Sequence, residues 1–142
     1  MRIMAVDYGD ARTGLAVSDE SATLAGEAWV LLEKNMETAA RAIASEAASR
    51  GVGAIVVGYP KNMNGTAGPR AEKSEQLAGQ IRLHCDSEVV LWDERMTTIS
   101  AHQILTDVGK HGKKRKKAID AVAASLILEG YLDYIKIKKE QF

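Results

Sequence analysis

Cysteine is nearly absent from this chain. Cys85 stands alone, which excludes an internal disulfide framework and a cysteine-built zinc site. Its helix-like surroundings mark it as a small core or boundary hydrophobe. Three histidines, His84, His102 and His111, are too scattered to form a metal-ligand set. No apolar run approaches the roughly 20 residues that a membrane helix needs. Residues 1–6 lack the apolar stretch and cleavage site of a secretory signal, so a cytoplasmic location without a membrane partner is expected. A Walker-type Gly-Lys-Ser/Thr loop and internal repeats are missing as well. With 142 residues, the chain fits one domain spanning 1–142, long enough for a real core and short for two.

Net charge is zero, which by itself argues against a nucleic-acid partner. Its distribution argues the other way. Residues 1–107 carry 10 Lys and Arg against 15 Asp and Glu, whereas residues 108–142 carry 9 against 4. Between positions 110 and 117 every residue but Gly112 is Lys, Arg or His. Such a run reads as a solvated segment or as a grip on a phosphate backbone.

The expected order of elements is β-β-β-α-β-α-β-α-α. Residues 2–6, 14–18 and 27–32 read as an antiparallel meander. Residues 36–50 are rich in Ala and Glu and stop at Gly51, as a helix does. The β-branched run 54–58 has the look of a strand covered on both faces. Pro69 is placed to open a helix over 69–84. A fifth strand is expected at 88–92 and a helix from Thr97 or Thr98 to about residue 107. A basic linker, 109–117, precedes a final helix over 118–135. Strands alternate with helices from residue 36 onward, which implies a parallel portion of the sheet.

Acids sit where three of these elements meet their loops. Asp7 ends the first strand, Asp93 and Glu94 end the fifth, and Asp120 opens the last helix. Carboxylates at a core border are costly unless paired, hydrogen-bonded or bound to cations. Gathered together they repel one another and invite Mg²⁺, which takes carboxylate and phosphate oxygens. In open α/β sheets ligands collect at the carboxyl ends of parallel strands. Each acid also has a plainer explanation. Asp7 could close a hairpin turn, Asp93 and Glu94 could cap a helix, and Asp120 suits a helix dipole. Strand alternation turns Asp93 and Glu94 to opposite faces, so Glu94 is favoured for the site and Asp93 for a supporting role.

The turn Gly9-Asp10-Ala11-Arg12-Thr13 allows a close approach to the backbone, and Gly9, Arg12 and Thr13 are candidate substrate contacts. So are Asn62, Asn64 and Gly65 in the loop before Pro69, where backbone N–H groups could cradle phosphate. A plain connecting loop would use the same residues. Tyr8 or Tyr59 could stack on a base, and Trp92 is expected to pack in the core beside the site.

Taken together, four stretches resemble the YqgF (RuvX) family of ribonuclease H-like nucleases. They are Val6-Asp7-Tyr8-Gly9 with Arg12-Thr13-Gly14, Val57-Gly58-Tyr59-Pro60 with Asn62-Met63-Asn64-Gly65, Asp93-Glu94-Arg95 with Thr97-Thr98, and Lys116-Lys117 with Asp120-Ala123-Ala124. The resemblance implies an α/β, ribonuclease H-like fold: a five-stranded mixed sheet, antiparallel over β1-β2-β3 and parallel at β4 and β5, flanked by helices. It implies Asp7, Glu94 and Asp120 as the catalytic, metal-binding set for Mg²⁺ or Mn²⁺. Arg12, Arg95, Thr97, Lys113, Lys114, Arg115 and Lys116 are then further substrate contacts. The implied activity is 5′-end maturation of pre-16S rRNA, with ribosomal precursor particles as partners. A Holliday-junction resolvase and a non-catalytic nucleic-acid-binding assembly factor are the alternatives. A monomer suits an RNA processor; a homodimer suits a junction enzyme. One departure from the wider ribonuclease H-like pattern is Gly58, where an acid would end the fourth strand. A nucleotide phosphotransferase of the actin type comes last, because its two lobes need a longer chain.

Overall fold

A computed structural model describes residues 1–60, 64–93 and 112–140, with the side chains of the last stretch described from 121 to 138. Five strands form one mixed sheet: β1 (Arg2–Asp7), β2 (Arg12–Ser18), β3 (Ala25–Leu32), β4 (Val52–Tyr59) and β5 (Glu88–Asp93). Among the described residues three helices flank it: α1 (Met36–Ser49), α2 (Pro69–His84) and α3 (Gly112–Glu140). The strand order is β3-β2-β1-β4-β5. β1-β2 and β2-β3 are antiparallel, whereas β1-β4 and β4-β5 are parallel. The expected meander and parallel pair are both present.

Local chemistry accounts for most of the element ends. Asn35 caps α1 by accepting the Thr38 amide at 3.0 Å, and Gly51 follows the helix with φ +69°, the left-handed conformation that glycine tolerates best. Pro69 opens α2, where its missing N–H costs nothing. The expected helix from 97 to about 107 lies outside the described residues. One expectation is corrected. The basic stretch taken for a linker is helical from Gly112, and the final helix reaches Glu140 rather than ending near 135. Lys and Arg have helix propensities close to that of Leu, so a run of positive charge does not stop a helix.

The sheet separates two apolar layers. On one face Met4, Val6, Leu15, Ile55 and Val57 meet Ile43 of α1 and Leu77 and Ile81 of α2. On the other, Ile3, Ala5, Ala16, Ala54 and Val56 receive Ala124, Ile127, Leu128 and Leu132 of α3. β4 is covered on both sides, which explains its unbroken apolar run. Among the described residues, no helix is long and apolar enough to cross a membrane.

The β2–β3 turn supplies a pH-sensitive marker. Asp19 accepts hydrogen bonds from Thr23 N (2.9 Å), Thr23 Oγ1 (2.8 Å), Ser21 Oγ (3.1 Å) and Leu24 N (3.3 Å). These bonds, the Thr23 amide foremost, hold its pKa down to about 2. A depressed native pKa means that the turn's contribution is present above the ordinary value of 3.8 and is lost as pH falls toward 2. A carboxyl-carbon NMR titration should find the Asp19 midpoint near 2. An ordinary midpoint would show that the bonds do not persist in solution.

Candidate active site at the carboxyl edge of the sheet

Asp7, partly buried, closes β1. Strand alternation puts it on the α3 face with Ile3 and Ala5. Its neighbours in that row carry no side chains. Gly14 of β2 stands opposite it in register. Toward β4, the Val6–Val57 pair is followed by Gly58, and Gly58 pairs with Trp92 of β5. The carboxylate therefore lies at the carboxyl edge between two glycines, with Trp92 as the next side chain along the row. A carboxylate at a strand end suits a hard cation that keeps waters and takes a phosphate oxygen. Gly58, the departure from the wider pattern, places no side chain of its own beside Asp7.

The turn after Asp7 is tight. A Cβ on Gly9 would come within 2.3 Å of the Arg12 carbonyl oxygen, so glycine is required there to close the turn. Arg12 and Thr13, expected in that turn, are the first residues of β2. Thr13 is fully buried, and its hydroxyl has no partner among the described residues. Alternation sets it on the α1–α2 face with Leu15 and Val17, away from Asp7. Arg12 falls on the α3 face by the same count.

Asp93 pairs with Tyr59 and shares the α1–α2 face with Val89 and Leu91. It is thus on the opposite side from Asp7. Glu94, Arg95, Thr97 and Asn62 lie outside the described residues. For Asp120, Lys113, Lys114, Arg115 and Lys116 the helical backbone is described, but not the side chains. Among the described residues no three potential metal ligands gather.

Asn64 Oδ1 accepts from the Thr66 amide at 3.1 Å and from its hydroxyl at 2.7 Å, and Gly65 adopts φ +85°. Both are exposed and shape the loop before α2. Tyr8 packs its ring against the first core layer; burial, with the nearby Asp10 carboxylate second, raises its pKa. The Tyr59 hydroxyl donates to Glu75 Oε1 at 2.5 Å, and that bond raises its pKa. Trp92 packs against the second layer, as expected, and its ring meets Tyr131 edge-on at 5.6 Å.

The direction of α3 brings position 120 toward Asp7's end of the sheet. Leu132, Asp133, Ile135 and Lys136 line one groove with residues 21–24 of the β2–β3 turn. That is the end where the Met1 ammonium donates to the Glu20 carbonyl. α3 therefore runs antiparallel to β1, and its amino-terminal turns head for the carboxyl edge. Position 120 is four residues, one helical turn, before buried Ala124 and falls on the same stripe.

Two cations of α2 were not singled out from the sequence. Arg70 Nη2 donates to the Tyr8 carbonyl at 3.3 Å, and Lys73 Nζ donates to Asp10 Oδ1 at 2.8 Å. The Lys73 bond holds the Asp10 carboxyl below its ordinary range, and Asp10 raises the Lys73 pKa in return. A local signal was available for Arg70 alone: a cation in the first turn of a helix opposes its dipole by a few tenths to about 1 kcal/mol.

The family model described as "RuvX: Holliday junction resolvase" matches residues 1–134. A protein of Halothermothrix orenii named "Putative pre-16S rRNA nuclease" is 43% identical over 134 residues, covering 94% of this chain and 96% of that one. One of the same name from Geobacillus thermodenitrificans is 44% identical over 138 residues, covering 94% and 98%. Among solved structures, the fowlpox virus resolvase with Holliday junction DNA superposes with TM-score 0.56 at 12% identity, covering 95% and 99%. T. thermophilus RuvC with a Holliday junction substrate gives 0.55 at 13%, covering 95% and 96%. At such identities the structures speak to the fold alone, which is ribonuclease H-like.

Proposed function

The chain belongs to the RuvX family, whose model spans residues 1–134, and from that membership we propose a divalent-metal-dependent endonuclease that matures the 5′ end of pre-16S rRNA. Hydrolysis of phosphodiester bonds is the chemistry that the family description and the relatives' name share. The observation that supports a reaction here is the Asp7 carboxylate at the carboxyl edge of the sheet, between Gly14 and Gly58. Asp7, Glu94 and Asp120 would hold Mg²⁺ or Mn²⁺. When bound, such an ion lowers the pKa of a water and offsets charge on the attacking and leaving oxygens. Arg12, beside Asp7 on the α3 face, holds the phosphate; the 64–65 loop, with Asn62, and the basic residues 113–116, with Arg95 and Thr97, steer the backbone. Asp93 supports the end of β5 from the other face. On this reading the protein acts in the cytoplasm, on precursor rRNA that is free or within ribosomal precursor particles.

The relatives at about 40% identity favour RNA over branched DNA. A side-by-side assay decides between them. Precursor rRNA and a four-way DNA junction are offered with Mn²⁺, and the products are mapped. The expected result is a discrete internal cut in the RNA and an intact junction. Symmetric cuts in the junction, with the RNA left whole, would overturn the RNA reading. A ladder of products shortening from one end would overturn endonucleolytic action.

A further inference from the structure

Arg70 and Lys73 stand one turn apart on α2, and both reach the turn that follows Asp7. Their partners there are unequal. Arg70 takes a backbone carbonyl, whereas Lys73 takes the carboxylate of Asp10, whose side chain is 77% exposed. An ion pair this exposed adds little to stability, and among the described residues no side chain caps the amino terminus of α2. A cation in the first turn, where it opposes the helix dipole, and a second held in a weak pair are poorly explained by folding alone. They are well explained by a third partner that carries negative charge. A phosphodiester oxygen has the charge and acceptor geometry of the Asp10 carboxylate.

We propose that Arg70 and Lys73 form a backbone-phosphate subsite at the turn that follows Asp7, and that Asp10 holds the place of that phosphate in the free protein. Substrate displaces Asp10 from Lys73. The pair then grips a phosphate next to the one that is cut, on the side of the turn away from the α3 basic run. This deepens the nuclease reading and rests on it.

The two partners of one ion pair should then have opposite effects. A purely structural pair would respond in the same direction whichever partner is lost. Binding of precursor rRNA and of a four-way junction is measured in EDTA, without cleavage, across a range of salt. Lys73→Met is expected to weaken binding roughly five- to tenfold near 0.1 M salt and to reduce the slope of log K against log salt by about 0.7–0.9. Lys73→Arg should restore both. Asp10→Asn is expected to tighten binding by about two- to fivefold, the equivalent of one exposed pair released. Arg2→Met and Glu20→Gln, a pair at the far end of β1, control for the general field and should change affinity less than twofold. Melting temperatures check that each variant folds. Weakening by both Asp10→Asn and Lys73→Met, or equal effects from the control pair, would overturn the subsite alone. No binding of either nucleic acid by the unaltered protein would overturn the nuclease reading with it.

Discussion

Asp7→Asn is expected to lower metal-dependent cleavage by about 100-fold or more, with nucleic-acid affinity changed little. Substituting an outer partner of a metal ligand already costs 10–100-fold, so the loss of a ligating charge should cost at least as much. Asn keeps the shape of Asp and its partly buried seat at the end of β1, so the fold should survive. Single-turnover cleavage under a Mn²⁺ titration gives the rate, and binding in EDTA gives the affinity. Asp120→Asn should act alike. Asp93→Asn should cost less than tenfold, because its strand position turns it to the other face of the sheet. Equal residual activity in the unaltered protein, Asp7→Asn and Asp120→Asn would mean contamination and would sink the enzyme reading.

Leu128→Ala should lower stability by about 2–5 kcal/mol, a large share of the 5–15 kcal/mol typical of a domain. Leu128 is fully buried between α3 and the sheet. The sheet side of that layer holds Ala5, Ala16 and Ala54 beside Ile3 and Val56, and the three alanines are too short to swing in and fill a cavity. Leu128→Met, which conserves volume, should cost less than about 1.5 kcal/mol. Denaturant unfolding measures both. The functional consequence follows from topology. Leu128 seats the helix that carries position 120, so activity should fall with the folded population and recover with Leu128→Met. A loss below 1 kcal/mol for Leu128→Ala would mean that α3 is not anchored through this layer.

Much of this architecture was readable from short stretches of chain. β4 announced itself by β-branched residues, α2 by Pro69, and the end of α1 by Gly51, because each signal acts within a few residues. The facing of Asp93, away from Asp7, was likewise a matter of strand alternation. The start of α3 was misread for a definite reason. Charge was taken as a sign of a solvated linker, although Lys and Arg are good helix formers and the run sits at the head of a 29-residue helix. Thr13 was counted as a contact because it follows the turn in sequence; its strand position buries it instead. Arg70 and Lys73 were passed over because the residues they grip lie 62 and 63 positions away.

The sequence by itself determined the five strands and the first two helices, the covered character of β4, and that Asp7 and Asp93 end the first and fifth strands. Those properties follow from the period of two in a strand, the 3.6-residue period of a helix, and the turn preferences of Gly and Pro, all of them local. The tertiary structure alone decided that Gly14 and Gly58 flank Asp7, that α3 runs back toward the same edge, and that α2 holds the turn through Arg70 and Lys73. Those facts depend on register and crossing direction. Both are set by pairing and packing between segments far apart in the chain, which no short window of residues contains.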